Sequence, residues 1–355
     1  MNTGQHHHPL AGDLDHILSH TKAIWQELSG KTIYITGGTG FFGTWILESL
    51  VWANDVLDAR TKAIVLTRDA EAFSKKYPHL AQHASLSLIA GDVRSFEFPI
   101  DTIDYIIHGA ATVTASADIV AAAESADIII KGTQRMLALA HEKRVKRFLF
   151  VSSGAVYGPQ PPNVSHISEA YQFSAQAPPV DSHYAQAKRT AEALCVLHRQ
   201  QFDVQAIIAR GFAFIGPHLP IDAHYAIGNF IRDGLNGKEI TIEGDGTPYR
   251  SYLYAADLAI WLWTLLLRGN PSEAYNVGSD QPIAIADAAR KVANFFHPPP
   301  AIKILRSPKP GQMPERYVPS IEKAKKELGL RVFIDLDTAI QRTVDWHMKR
   351  RTASL

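Results

Sequence analysis

The chain has 355 residues, which is long enough for one large α/β unit or for two domains that share a core. Hydrophobic residues make up 46% and charged residues 20%, and the 36 Lys and Arg nearly balance the 35 Asp and Glu, as is typical of a globular protein. This charge balance argues against electrostatic binding of nucleic acid or of an anionic membrane.

The N-terminal residues 1–30 are interpreted as an extension of the main fold. Apolar residues recur at helical spacing from 13 to 28, which predicts an amphipathic helix in front of the first strand. His16 and His20 lie one turn apart on this helix, but the sequence offers no third ligand. They are interpreted as part of an exposed face, and no metal site is predicted.

From Lys31 onward, short β-branched and apolar runs alternate with segments of helical length. This alternation predicts a parallel sheet covered on both faces by helices, which is a doubly wound α/β fold. After Gly211, proline and glycine clusters interrupt the rhythm, as expected of a smaller second lobe. The predicted strands are residues 32–36, 63–66, 86–89, 103–107, 147–152 and 204–209.

A glycine-rich turn follows the first predicted strand and precedes a helix predicted at residues 45–52. Positions without side chains let the backbone approach a pyrophosphate, whose charge then faces the helix N-terminus. The strand and the helix on either side favour dinucleotide binding over a merely structural turn. The residues of this turn assigned to the cofactor site are Gly37, Gly40, Phe41, Phe42 and Gly43.

The second strand ends in Thr67 and Arg68, both assigned to the cofactor site, without an acidic residue at its tip. An acid there would bind a free ribose 2′-hydroxyl, whereas a basic residue suits a 2′-phosphate. Arg68 therefore favours NADP over NAD; the alternative is a solvated Arg68 with Asp69 as the ribose contact. Asp92 and Val93, which follow the third strand, are assigned to the adenine, although an ordinary loop would look the same.

Two further motifs carry chemistry. Ser153 follows the strand predicted at residues 147–152, and Tyr184 and Lys188 are spaced by four, which puts them on one face of a helix. A lysine ammonium beside a phenol favours the phenolate and lowers the phenol pKa from its usual value of ~10. Such a pair can exchange a proton reversibly with a sugar or alcohol hydroxyl.

In combination these motifs resemble the extended short-chain dehydrogenase/reductase family, which contains nucleotide-sugar 4-epimerases, 4,6-dehydratases and 4-keto reductases. The resemblance covers residues 31–330. It implies a Rossmann fold, with Ser153 as the catalytic hydroxyl. It also implies that Tyr184 and Lys188 are the acid/base pair and contact the cofactor.

Further segments are similar to the family's ligand-binding positions. The segment His-Gly-Ala-Ala at residues 108–111 matches the strand end beneath the cofactor and implies that Ala110 and Ala111 contact it. Arg250 lies in a segment similar to one whose arginine holds the diphosphate of a nucleotide sugar, and Arg316 matches a second such arginine. Together with Ser153, these two arginines are the substrate-binding residues that the resemblance implies.

The sequence also departs from the family pattern. Gly154 and Ala155 stand where the 4,6-dehydratases carry an Asp-Glu pair that eliminates water, so dehydration is disfavoured. Ala213 replaces the Asn of the family's Arg-x-Phe-Asn pattern, Ile129 replaces an Asn before Gly-Thr, and His183 replaces the Pro before the tyrosine. These departures concern the substrate more than the redox core.

The function predicted from these motifs is NAD(P)-dependent oxidation or reduction at C4 of a nucleotide-activated sugar. NADPH-dependent 4-keto reduction is preferred, and 4-epimerisation with tightly bound NAD is the alternative. A dinucleotide-sensing regulator would not need Ser153, Tyr184 and Lys188 together. A hydrolase that uses Ser153 with His183 would lack the elbow motif expected around a nucleophilic serine.

Residues 257–267 and 274–277 resemble a further helix and strand of the first sheet, so the two lobes should be interleaved. Besides the N-terminal extension, we predict a dinucleotide-binding domain and a smaller substrate-binding lobe. The predicted domain covers residues 31–211 and 250–280, and the predicted lobe covers 212–249 and 281–355.

Cys195 is the only cysteine, which excludes an intramolecular disulfide and a cysteine zinc site. The longest apolar run, at residues 258–267, is about half of the ~20 residues that a membrane-spanning helix needs. Residues 1–10 are polar and contain no apolar signal core. We therefore expect a cytoplasmic homodimer that binds a nucleotide sugar, without nucleic-acid or membrane partners.

Overall fold

The computed structural model describes residues 8–111, 119–171, 183–223 and 225–353. Within these ranges the chain forms two compact units, each built from three separate segments. The first unit falls within Met1–Gly158, Phe173–Gly211 and Ala259–Tyr275, and the second within Pro159–Gln172, Phe212–Leu258 and Asn276–Leu355. The division by function given above stays a prediction.

The strands in the described residues are β1 (Thr32–Thr36), β2 (Lys62–Thr67), β3 (Leu86–Ala90), β4 (Tyr105–His108), β5 (Arg147–Ser153), β6 (Ala206–Gly211), β7 (Phe214–Ile215), β8 (Ile240–Ile242), β9 (Tyr249–Arg250), β10 (Leu253–Tyr254), β11 (Ala274–Val277), β12 (Ile283–Ala284), β13 (Ile302–Ile304) and β14 (Arg316–Tyr317). The helices are α1 (Ala11–Leu28), α2 (Phe41–Leu57), α3 (Ala70–Lys76), α4 (Pro78–Ala81), α5 (Ile119–Glu142), α6 (His183–Phe202), α7 (Ala226–Leu235), α8 (Ala255–Arg268), α9 (Ile285–Ala293), α10 (Glu322–Leu328) and α11 (Leu336–Ala353).

A seven-stranded sheet in the described residues has the order β11-β6-β5-β4-β1-β2-β3. Every neighbouring pair from β6 to β3 is parallel. The strand order reverses between β1 and β4, and in such sheets ligands bind in the crevice at the carboxyl ends of the strands where the order reverses. The prediction of a doubly wound parallel sheet is confirmed.

Burial explains why the strands of this sheet read as nearly continuous apolar runs. In β1, Ile33, Tyr34 and Ile35 are all at most 1% exposed, because helices cover both faces.

The N-terminal helix α1 belongs to the first unit. Its Trp25 ring packs edge-on against Trp263, with ring centroids 4.8 Å apart.

The second unit contains a small sheet in which β9 lies between β12 and β14. Strand β9 pairs antiparallel with β12 and parallel with β14. Isolated bridges from Gln160 to Arg316 and from Ile167 to Pro319 join residues 159–171 to this unit. No helix in the described part of the chain is both long enough and apolar enough to span a membrane.

Candidate active site

The glycine-rich turn joins β1 to α2, and two of its glycines have no room for a side chain. Gly37 has φ of +73°, and a Cβ there would lie 2.5 Å from the carbonyl carbon and oxygen of Gly109. A Cβ on Gly43 would lie 2.3 Å from the carbonyl oxygen of Gly37. Gly40 is the N-cap of α2 and has no capping side chain, so the first amides of the helix can face an anionic group.

A cavity of about 410 Å³ opens in the first unit where β1, β2, β3 and β4 end. It brings together eight of the predicted cofactor residues and adds Thr39 and Lys76, which the sequence analysis missed. Phe41, Phe42, Gly43, Tyr184 and Lys188 are not among its lining residues in the described part of the chain. The eight predicted residues in the lining are Gly37, Gly40, Thr67, Arg68, Asp92, Val93, Ala110 and Ala111.

The acidic residues of this cavity accept hydrogen bonds from the protein itself, whereas two of its basic residues are exposed. Asp69 Oδ1 accepts the amide hydrogen of Ala72 at 2.8 Å and so caps α3. Asp92 accepts two hydrogen bonds from the Arg94 guanidinium, at 2.9 and 2.6 Å, and these bonds hold the pKa of the carboxyl below its usual range. Arg68 and Lys76 are exposed at the cavity, so it presents cations whose charge is available to a ligand.

A buried hydrogen-bond chain runs beneath the cavity through His108. Its Nδ1 lies 2.7 Å from Thr36 Oγ1, and its Nε2 lies 3.0 Å from Thr133 Oγ1. Because Thr133 donates its own proton to the carbonyl of Ile129, His108 must donate from Nε2 and accept at Nδ1. Burial, helped by the charge of a nearby lysine, lowers the His108 pKa to about 3. His108 is therefore neutral and fixes the end of β4 to α5.

Lys188 is fully buried in the first unit, with its ammonium held at one point. Its Nζ donates to the carbonyl oxygen of Val151 at 2.7 Å. The same Nζ lies 4.7 Å from the ring centroid of Phe150 and 5.8 Å from that of Tyr184. Burial lowers the Lys188 pKa to about 8, against the opposing charge of Glu192. The predicted acid/base pair is therefore brought together on one face of α6.

Ser153 ends β5 and caps the 3₁₀ turn Gly154–Tyr157. Its Oγ accepts the amide hydrogen of Ala155 at 3.2 Å, which leaves the hydroxyl proton for another acceptor. Gly154 and Ala155 supply no proton-transfer group in this turn. The role of Ser153 as the catalytic hydroxyl stays a prediction.

Behind these residues lies a buried polar network that the sequence analysis did not identify. Glu192 accepts hydrogen bonds from Nη2 and Nε of Arg210: Nη2 lies 2.7 Å from Oε2, and Nε lies 3.0 Å from Oε1 and 3.3 Å from Oε2. Ser152 Oγ donates to Glu192 Oε1 at 2.6 Å, and Arg210 Nη1 donates to the Tyr157 hydroxyl at 2.8 Å. The four side chains connect β5, the 3₁₀ turn, α6 and β6. The repeat of the four-residue spacing from Lys188 to Glu192 was the available sequence signal.

The two predicted substrate arginines lie in the second unit on neighbouring strands. Arg316 is opposite Tyr249 in the pairing of β14 with β9, and Arg250 is opposite Tyr317. The Arg316 guanidinium lies 4.4 Å from the Tyr249 ring centroid, and that of Arg250 lies 6.0 Å from the Tyr317 ring centroid. Each arginine is thus held beside an aromatic ring of the adjacent strand.

The parallel sheet, the glycine turn at its switch point and the cavity beside it define an α/β enzyme that binds a dinucleotide. The chain belongs to the NAD dependent epimerase/dehydratase family, whose model matches residues 33–278. The predicted resemblance to the extended short-chain dehydrogenase/reductases is confirmed, as is the prediction of an enzyme. The close approach of Gly37 to Gly109 leaves no room for a side chain on Gly37, which fits a bound nicotinamide dinucleotide.

Individual relatives differ in the reactions that their names describe. UDP-glucuronic acid decarboxylase 1 from Xenopus tropicalis is 29% identical over 325 residues, which cover 91% of this chain and 74% of that protein. The structure of UDP-N-acetylglucosamine 4-epimerase from Methanobrevibacter ruminantium M1 has a TM-score of 0.78 at 21% identity, covering 91% and 99% of the two chains. That of dTDP-glucose 4,6-dehydratase from Bacillus anthracis, in complex with NAD, has a TM-score of 0.73 at 18% identity, covering 91% and 98%.

Proposed function

We propose that this enzyme reduces the 4-keto group of a nucleotide-activated sugar, with NADPH as the hydride donor. The observation that carries the proposal is the arrangement at α6 and β5. Tyr184 and the buried ammonium of Lys188 share one helix face, and Ser153 ends the adjoining strand. This is a set of groups that can move one proton to a substrate oxygen and orient that oxygen.

Each of the three residues has a separate task in this proposal. A reduced nicotinamide bound at the glycine turn would supply hydride to C4. Tyr184 donates its phenolic proton to the C4 oxygen, so that a ketone and a proton together with hydride give an alcohol, and Tyr184 is reprotonated from solvent. Lys188, anchored on the Val151 carbonyl, stabilises the phenolate in between. Ser153 donates a hydrogen bond to the same oxygen.

A preference for NADP is supported by the charges around the cavity. Arg68 and Lys76 line it as cations, while Asp69 Oδ1 caps α3 and Asp92 is bound by Arg94. A 2′-phosphate would find two positive charges here, whereas a free 2′-hydroxyl would have to compete for acids that already accept hydrogen bonds.

A nucleotide sugar is the proposed substrate because of Arg250 and Arg316. Arg250 lies on β9 and Arg316 on the adjacent β14, and each guanidinium suits a phosphate group of the substrate. The names of the three relatives compared above all refer to UDP- or dTDP-linked sugars, which supports the same substrate class.

Epimerisation at C4 is the second candidate, since the same three residues serve both directions of hydride transfer and a similar solved structure is a 4-epimerase. Dehydration is not proposed, because Gly154 and Ala155 cannot transfer a proton.

We also propose a homodimer: Leu197 and Phe202 on α6 are 46% and 45% exposed, which offers apolar surface to a second copy.

The reaction is tested with UDP- and dTDP-linked sugars and their 4-keto-6-deoxy derivatives, each with and without added NADPH. A reductase consumes NADPH in step with the ketone, as followed by nicotinamide absorbance. An epimerase converts the 4-hydroxy sugar into its C4 epimer, seen by NMR, without net change in that absorbance. Turnover of none of these sugars by protein that binds NADPH would overturn the substrate assignment.

The substrate-binding assignment is tested with Arg250→Ala and Arg316→Ala. Both should weaken binding of a nucleotide sugar and leave NADPH affinity unchanged, as measured by calorimetry. Arg306→Ala is the matched control, because Arg306 is an exposed arginine of the same unit that lies outside β9 and β14. Equal nucleotide-sugar affinity in all three variants would contradict the assignment.

A further inference from the structure

Three side chains that are distant in sequence converge in the first unit, outside the candidate active site. His8 precedes α1, Glu48 lies in α2 and His79 lies in α4. His8 Nε2 is 3.4 Å from Glu48 Oε2, and His79 Nε2 is 3.0 Å from Glu48 Oε1. One ligand atom from each residue can be chosen so that all three lie within 4.8 Å of one another.

The cluster is buried on one side and open on the other. The Glu48 side chain is only 3% exposed, that of His8 is 21% exposed and that of His79 is 46% exposed. A carboxylate removed from water requires positive charge or hydrogen bonds close to it. Both Glu48 oxygens face imidazole nitrogens, and the open side at His79 gives an ion from solvent a way in.

We propose that His8, Glu48 and His79 bind a zinc ion. Two imidazoles and one carboxylate form a ligand set that zinc accepts in proteins, with water in a fourth position. Two ligands of a tetrahedral zinc ion, each ~2.0–2.1 Å from the metal, stand about 3.3 Å apart. The two nitrogen-to-oxygen distances of 3.4 and 3.0 Å, each to a different oxygen of Glu48, are close to this spacing, and small side-chain shifts would bring all three ligand atoms, now within 4.8 Å of one another, to it.

Zinc binding changes the tautomer of His8. Its Nδ1 lies 3.2 Å from the amide nitrogen of Leu10 and accepts a hydrogen bond from it. Coordination through Nε2 leaves the ring proton on Nδ1, so this contact is given up when the metal binds. In exchange, the ion ties the segment before α1 to α2 and α4. The proposed site is structural and independent of the proposed function.

The test uses the full chain, freed of any purification tag and of metal by dialysis against a chelator. Zinc is titrated by calorimetry, and Co²⁺ is added in parallel because its visible spectrum distinguishes coordination by four ligands from octahedral hydration. We expect one ion per chain, a four-coordinate cobalt spectrum and a higher melting temperature with zinc. His79→Ala and Glu48→Gln should weaken zinc binding by at least about tenfold.

Two comparisons distinguish zinc binding at this cluster from zinc binding by other histidines. His20→Ala removes an exposed histidine of the first unit that lies outside the cluster, and it should leave zinc affinity unchanged. The sequence also carries His6 and His7 next to His8, and an ion bound by that run alone would survive His79→Ala. Equal zinc affinity of the wild type and His79→Ala, or no binding by the wild type, would overturn the proposal. His79 is half exposed, so its variant is expected to fold.

Discussion

Glu192 and Arg210 form a buried ion pair one helical turn beyond Lys188, and no more than 8% of either residue is exposed to solvent. The pair joins α6 to β6, and through Ser152 and Tyr157 it also holds the end of β5 and the 3₁₀ turn that follows. Both elements that carry the proposed catalytic residues are thus fixed to one charged pair, so its loss should affect both the fold and the site.

Glu192→Ala should destabilise the protein by ~3–5 kcal/mol, because it leaves the Arg210 charge buried without its partner. Urea unfolding of the variant and the wild type measures the difference. The exposed ion pair of Arg199, on the same helix, with Asp203, which follows the end of that helix, is the control. Arg199→Ala should cost less than about 1 kcal/mol. Similar losses in the two variants would show that the buried pair contributes no more than an exposed one.

Tyr184→Phe should lower turnover by ~10²–10⁴ and leave the affinity for the dinucleotide unchanged, because the ring remains and only the proton carrier is lost. Single-turnover changes in nicotinamide absorbance measure the effect on chemistry. Ser153→Ala should slow the same step less, since it removes a hydrogen bond rather than the acid. A Tyr184→Phe rate within about threefold of the wild type would contradict the proposed mechanism.

Because of Lys188, the free energy of unfolding should change with pH in the alkaline range. Its pKa is about 8 in the folded protein against an ordinary 10.5, so between these values the unfolded chain binds more protons and stability rises with pH. A shift of this size corresponds to roughly 3 kcal/mol. Lys188→Met should remove this rise, measured as the difference between the two proteins in urea unfolding at pH values on either side of the window. If the free energy of unfolding of the two proteins changes with pH in the same way, the lowered pKa of Lys188 is excluded.

Arg68→Ala should reduce the preference for NADPH over NADH by about tenfold to a hundredfold, as expected for loss of a charge-assisted bond to phosphate. Lys76→Ala should act in the same direction. Lys75, the neighbouring lysine of α3, pairs with Glu71 and does not line the cavity, so Lys75→Ala is the control. Equal wild-type affinity for the two dinucleotides, measured by fluorescence titration, would refute the preference.

Gly37→Ala should abolish dinucleotide binding, because the new methyl group collides with Gly109 in addition to straining the backbone. Gly30 is the matched control: it has φ of +70°, but a Cβ added there would meet no atom within 4 Å. Gly30→Ala should therefore cost only the ~1–2 kcal/mol of a left-handed conformation and leave dinucleotide affinity intact. Thermal unfolding and a binding titration of both variants separate strain from collision.

The sequence predicted the strands well where they are buried and apolar, and less well where a polar residue lies inside the sheet. Residues 32–36 form β1 as predicted, but β4 continues to His108 and β6 continues through Arg210. Both side chains are buried because partners from other elements satisfy them, Thr36 and Thr133 for His108 and Glu192 for Arg210. These partners are distant in sequence, so a pattern of neighbouring residues does not predict that His108 and Arg210 lie inside the sheet.

The same limit applies to the site. The glycine turn and the spacing of Tyr184 and Lys188 are local, and the sequence was sufficient to identify them. Lys76 lines the cavity together with residues of β1 and β2, and the cluster of Glu48 with two histidines brings together the segment before α1, α2 and α4. These residues are brought close by tertiary packing, and their spacing along the sequence does not predict that contact.

The interleaving of the two units determines when the first one can be completed during synthesis. Its last segment, Ala259–Tyr275, carries Trp263, whose indole donates to Ser49 at 2.8 Å and packs on Trp25 near the start of the chain. The ribosome therefore has to release the polypeptide past Tyr275 before the N-terminal half can close its core. Until then, the nascent chain exposes an apolar surface at α1 and α2 that has no partner, which makes the order of translation part of the folding pathway.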